Sequence, residues 1–121
     1  MRKLYFILLW VCFSLTALSQ TAVIDSLKRE LARSTSNEQK VELLGFLSRT
    51  LMNTSLPEAD KYGLQMIEVA EMSRDRKLMV KALLTNGERY SYLAGRKDNI
   101  NKAIDYYTRG LELARKNKLD E

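Results

Sequence analysis

Apolar residues recur along this chain at helical spacing, and no stretch sustains an alternation of period two. That pattern predicts helices and no sheet. Five helices are predicted. The first covers about 22–33, with Val23, Ile24, Leu27 and Leu31 on one stripe and Asp25, Arg29 and Glu30 mostly off it. Polar residues at 34–37 break it, and Ser36 followed by Gln39 predicts a capping box. The second helix covers about 38–52, with Val41, Leu44, Leu47, Ser48 and Leu51 on its inner face. Pro57, the only proline, suits the first turn of a third helix over 57–73, where its missing N–H costs nothing. Ala59, Tyr62, Met66, Ile67 and Ala70 face inward there. The fourth helix is predicted over 77–94, through Val80, Leu83, Leu84, Gly87, Tyr90 and Leu93. A polar loop over 95–101, with Gly95 as a stop signal, leads to a fifth helix over 101–117. Its apolar positions are Ala103, Ile104, Tyr107, Leu111 and Ala114.

The first nineteen residues read differently. Arg2 and Lys3 precede an uncharged apolar run from Leu4 to Leu18, and Ala17-Leu18-Ser19 has the small-x-small form of a signal-peptidase site. This is the layout of a secretory signal peptide, cleaved near Ser19/Gln20. The run is shorter than the roughly 20 residues a spanning helix needs. The expected location is secreted or periplasmic, with no membrane insertion by the mature segment. Cleavage would remove Cys12, the only cysteine, leaving a thiol-free product that suits an oxidising compartment. Without Arg2 and Lys3 the formal charge of +5 falls to +3, a solubility-level value.

The predicted third and fifth helices match each other. Ala59 corresponds to Ala103, Tyr62 to Tyr106, Glu68 to Glu112 and Ala70 to Ala114, with Ile67 and Val69 against Leu111 and Leu113. Leu47-Ser48 and Leu51 of the preceding helix correspond to Asn86-Gly87 and Tyr90. A helix–turn–helix unit repeating about every 40 residues implies a stacked helical array. Each unit buries its apolar faces only against its neighbours.

The stretch Ala82-Leu83 through Asn86-Gly87 to Tyr90, with Lys102-Ala103-Ile104-Asp105-Tyr106-Tyr107-Thr108-Arg109-Gly110-Leu111, resembles the tetratricopeptide repeat family. The resemblance covers roughly 38–117 and is most specific over 82–114. It implies an all-α solenoid of helical hairpins, about two and a half repeats long. In that family small residues let paired helices approach closely, and Gly87, Ala103 and Gly110 match the three small slots. Tyr90 and Tyr107 match the large aromatic slots. In the earlier unit Ser48 and Ala59 match two small slots. Met66 stands where a small residue is usual, Gly63 where an aromatic is usual, and Asn86 where leucine is usual. The loop over 95–101 is about four residues longer than the family's turn. The expected organisation is a signal peptide over 1–19, a leading half-repeat helix over 20–37, unit one over 38–76, unit two over 77–117 and a linker or continuation over 118–121. The fifth helix leaves Ile104, Tyr107 and Leu111 facing a position where a further repeat, or another copy in an oligomer, would sit.

The first helix of each pair lines the inner wall of such an array. The resemblance therefore implies a peptide-binding groove over Glu42, Arg49, Met52 and Asn53 of unit one and Lys81, Leu84, Glu88, Ser91 and Tyr92 of unit two. Mixed charge with Met and Tyr suits an extended peptide. Chemistry is poorly supplied. The absence of histidine removes Ser-His and Cys-His catalysis, and the carboxylates are mostly single and flanked by cations. No phosphate-binding glycine loop, dinucleotide fingerprint or EF-hand loop occurs. No enzyme activity, cofactor or metal is therefore expected. The basic groups lie at helix ends and links, and Tyr90 and Tyr107 fall at core spacing, so nucleic acid is not an expected partner. Asn53-Thr54-Ser55 fits the N-glycosylation acceptor pattern. The leading expectation is an exported protein–protein interaction module, similar to the N-terminal sensory portion of bacterial tetratricopeptide-containing signalling proteins. A self-contained periplasmic adaptor or assembly chaperone is the alternative, and an enzyme with a downstream catalytic domain is a third.

Overall fold

The structure, a computed structural model, describes residues 20–93, 95 and 97–116. The expected signal peptide and the continuation over 118–121 lie outside the described residues. Helix α1 covers 20–33. It is followed by α2 (Asn37–Thr50), a 3-10 turn (Leu51–Asn53), α3 (Leu56–Ser73), α4 (Arg76–Ser91) and α5 (Lys97–Lys116). All regular structure among the described residues is helical. Helix α2 pairs with α3, α4 pairs with α5, and α4 also packs on α2 and α3.

Local chemistry explains the boundaries. Ser36 Oγ accepts the Gln39 N–H at 3.1 Å, which starts α2. The reciprocal arm of the capping box is absent, because the Gln39 side chain meets Ser34 Oγ at 3.3 Å instead. Pro57 occupies the first turn of α3. Arg74 ends α3 in the left-handed region with φ 56°, and Asp75 then caps α4 by accepting the N–H groups of Lys77 and Leu78. The region over 95–101 corrects the loop expectation, since helix begins already at Lys97. Asp98 favours that early start beside the positive helix N-terminus, and the Asn99 amide ties back to the Leu93 carbonyl at 3.0 Å. Gly95 supplies no left-handed stop. Helix α4 instead ends at Ser91, whose hydroxyl donates to the Glu88 carbonyl at 2.6 Å.

The core is centred on Val41 and Leu44 of α2, Met66 and Ala70 of α3, and Leu78 and Ala82 of α4. Leu31 of α1 packs against it. Burial is shared at four of the six matched pairs of α3 and α5: Ala59 and Ala103 are buried, Tyr62 and Tyr106 and Val69 and Leu113 are half-buried, and Glu68 and Glu112 are exposed, whereas Ala70 is buried against a half-buried Ala114 and Ile67 half-buried against an exposed Leu111. Sizes are traded across the α2–α3 seam. Met66 projects toward Gly45, where an added methyl would lie 3.5 Å from Met66 Sδ.

The seam between α3 and α4 also carries a polar cluster, buried on the α4 side and partly open at Asp60. Arg89 is 1% exposed, and its Nη1 donates to Asp60 Oδ1 at 2.7 Å. Arg89 Nε also reaches Asn86 Oδ1 at 3.4 Å, and Asn86 Nδ2 donates to the Gly63 carbonyl at 3.2 Å. Gly63 and Asn86 therefore complement each other across the seam. A methyl on Gly63 would lie 2.7 Å from Asn86 Oδ1 and 2.9 Å from Arg89 Nη2. Both are held by mutual hydrogen bonds in a closed space, so neither can retreat without losing a partner. No buried side-chain N or O among the described residues is left without a partner.

On α5, Gly87 of α4 is met by the Tyr107 ring, 2.8 Å from where its methyl would stand. Alanine substitutions therefore separate the glycines. Gly45→Ala meets only ordinary contacts and should raise stability by up to about 1 kcal/mol through helix propensity. Gly63→Ala and Gly87→Ala should each lower it by about 1–2 kcal/mol, because overpacking outweighs that gain. Thermal unfolding of the three variants checks the order, and equal effects would contradict this packing.

Candidate functional site

Helices α2 and α4 lie side by side and run the same way. Their midpoints meet at Gly45, whose added methyl would stand 3.5 Å from Thr85 Cγ2. Their carboxyl ends diverge around a hollow of about 260 Å³ lined by Arg49, Met52, Asn53 and Tyr92. Arg49 belongs to α2, Met52 and Asn53 to the 3-10 turn that ends it, and Tyr92 follows α4. Four of the nine groove residues predicted from sequence thus share one hollow, although Asn53 and Tyr92 are distant along the chain.

The Arg49 guanidinium lies 5.5 Å from the centroid of Phe46, a ring that is 47% exposed. Its Nε donates to the Gly45 carbonyl at 3.4 Å. No carboxylate among the described residues lies within ion-pair distance of it. Tyr92 is 71% exposed, and its hydroxyl reaches Glu88 Oε1 at 3.4 Å, which fixes the ring beside the hollow. The site therefore offers a cation, an amide, a thioether and an aromatic edge, with the Glu88 carboxylate behind.

The remaining predicted residues are placed elsewhere. Glu42, Lys81 and Ser91 are exposed and do not line the hollow. Leu84 leans on α5, with its Cδ2 3.0 Å from where a Gly110 methyl would stand. Phe46 escaped the sequence reading, although its position one turn before Thr50 on the outer side of α2 was available. A second hollow of about 340 Å³, lined mainly by Glu71, Arg74, Asp75, Arg76 and Met79, contains none of the predicted residues.

Other faces of α4 carry the polar seam and an aromatic column. The Arg89 guanidinium sits 4.3 Å from the Tyr90 centroid, and the Tyr90 and Tyr106 rings stack 5.7 Å apart at 4°. Arg109 lies 5.6 Å from the Tyr106 ring, and Lys102 lies 5.2 Å from the Tyr90 ring. The Tyr90 hydroxyl donates to Asp60 Oδ1 at 3.1 Å, so the column connects α3, α4 and α5. Burial pushes the Tyr90 phenol above its ordinary value; Arg89 opposes the rise and Asp60 adds to it. Burial raises Tyr106 as well, with Tyr90 adding to the shift.

Among the described residues no group of three or more His, Cys, Asp or Glu is placed to hold a metal ion. Among them, too, no helix is long and apolar enough to cross a membrane. Comparison of the chain with protein-family models, with curated proteins and with solved structures finds no match.

The tyrosine shifts fix an alkaline response. An unfolded tyrosine releases its proton near pH 10.0, while folded Tyr90 and Tyr106 hold theirs to higher pH. The unfolded state binds fewer protons in that window, so stability should fall as pH rises above about 10. Melting temperature measured against pH should show this loss, and Tyr90→Phe with Tyr106→Phe should flatten it. An alkaline slope unchanged in the double variant would contradict the assignment.

Proposed function

We propose that this chain is an exported tetratricopeptide-like solenoid whose α2–α4 groove binds an extended segment of a protein partner. The observation that carries this reading is the hollow shared by Arg49, Met52 and Asn53 of one hairpin and Tyr92 of the other. It gives a peptide what such recognition needs: backbone-directed polar groups beside a shallow apolar contact. Arg49 is the strongest determinant, since it is held in place by Phe46 and the Gly45 carbonyl without being neutralised. Exposed Phe46 and Tyr92 supply rigid aromatic area at low entropic cost. The buried Ala59 and Ala103, and the close contacts at Gly87 and Gly110 between α4 and α5, support the solenoid assignment.

In this reading the segment is the sensory input of a longer bacterial signalling protein, with its signal peptide directing it to the periplasm. Catalysis plays no part in it, and neither do nucleic acid or cofactors. The exposed apolar residues of α5 favour a second reading, a self-contained adaptor that associates through that helix.

Peptides selected from a random displayed library on the purified chain test the groove. Arg49→Ala, Glu88→Ala and Tyr92→Ala combined should weaken selected peptides at least about tenfold, or about 1.4 kcal/mol. These side chains lie outside the core, so melting should change little. Peptides that bind the triple variant as well as the parent would overturn the groove assignment.

A further inference from the structure

The hollow between α2 and α4 carries a cation whose charge the described residues leave unanswered. Arg49 is exposed, yet its guanidinium is held in place. Its Nε donates to the Gly45 carbonyl at 3.4 Å, and the group lies 5.5 Å from the Phe46 centroid. These contacts use one edge and one face of the guanidinium. The two Nη groups make no hydrogen bond and no ion pair among the described residues. Such a fork matches a carboxylate through two parallel hydrogen bonds. Surface ion pairs gain little when two loose side chains must be ordered together, and here one of the two is ordered beforehand.

We infer, on the groove reading proposed above, that the partner segment is read through one Asp or Glu side chain on Arg49, with an apolar residue two positions away against Met52 and Tyr92. Three features select this chemistry. First, Arg49, Met52, Asn53 and Tyr92 line one hollow of about 260 Å³, so a cation and an apolar surface are offered side by side. Second, alternate residues of an extended chain face the same way, about 7 Å apart, which sets the acid and the apolar residue at a two-residue interval. Third, the charge on offer is that of one guanidinium. Glu88, whose Oε1 lies 3.4 Å from the Tyr92 hydroxyl, adds a negative charge behind the ring. A single carboxylate matches that balance. A phosphoryl group, with about two negative charges, does not, and neither does a run of acidic residues. The exposed Asn53 amide, in the same hollow, supplies a donor and an acceptor for the segment's backbone.

The test starts from peptides selected from a random displayed library on the purified chain. Those that the combined Arg49→Ala, Glu88→Ala and Tyr92→Ala variant fails to bind are kept. They should share an Asp or Glu and an apolar residue two positions from it. Replacing that acid by its amide in a synthetic peptide should weaken binding at least about tenfold. Arg49→Glu should reject the acidic peptide and bind the same peptide with Lys in place of the acid. Arg49→Met should bind the acid and amide forms equally. Kept peptides that share no acid, or that tolerate the amide, overturn the inference and leave the groove standing. A preference for the acid form that survives both Arg49 variants overturns it too, by placing the contact on another residue. If every selected peptide binds the triple variant as well as the parent, the groove itself fails and this inference fails with it.

Discussion

A guanidinium that is 1% exposed has to find its partners inside the protein, and Arg89 finds them on α3 and α4. It holds Asp60 of α3, touches Asn86 one turn earlier on α4, and lies on the Tyr90 ring that stacks on α5. Stranding such a group after desolvation costs about 3–5 kcal/mol, a large share of the stability of a domain this size. Asp60 keeps partial solvent contact, with its side chain 39% exposed, which places this pair toward the lower end. The pair is consequently a device for fixing how the two hairpins meet. Sliding α4 by one turn would leave Arg89 without a carboxylate and Asn86 without the Gly63 carbonyl.

That register sets the groove. The α2–α4 hollow exists because α4 is held at one height against α3, which brings Tyr92 level with Met52 and Asn53. Helix α2 contributes by the opposite means. Gly45 gives up its side chain so that Met66 and Thr85 can both approach, and the contact there is loose enough for a methyl. Of the two seams near the groove, one is held by dispersion and the other by directed hydrogen bonds. Directional contacts tolerate displacement far less, so the polar seam decides where Tyr92 stands.

Much of this was legible in the sequence. The apolar stripes gave the five helices because each stripe is continuous over three or more turns, as with Val41, Leu44, Leu47 and Leu51. The close approach at Gly87 was also legible, since a glycine on a stripe in mid-helix loses propensity for no other local reason. The polar seam was not. Leu78, Ala82, Asn86 and Arg89 lie on one buried face of α4, but periodicity scores Asn and Arg as solvent positions. The readable signal was a pair of polar residues continuing an apolar stripe, which requires partners in another element. The extent of α5 was missed because its first turn is polar and carries no apolar stripe, although the backbone is helical from Lys97 and the Asn99 amide ties that turn to the Leu93 carbonyl. Four groove residues were found together because the stacking of parallel helices brings equivalent positions to one side. Leu84 was displaced from that set because Gly110 opens a space its side chain fills.

The central claim is that Arg89 and Asp60 act as one unit in holding the hairpins. A double-mutant cycle with Asp60→Ala and Arg89→Met, followed by urea unfolding, measures it directly. The account requires Asp60→Ala to cost about 3 kcal/mol in the parent and far less beside Arg89→Met, with a coupling of about 2 kcal/mol or more. Two losses that simply add, within about 0.5 kcal/mol, would show that the hairpins are held by something else.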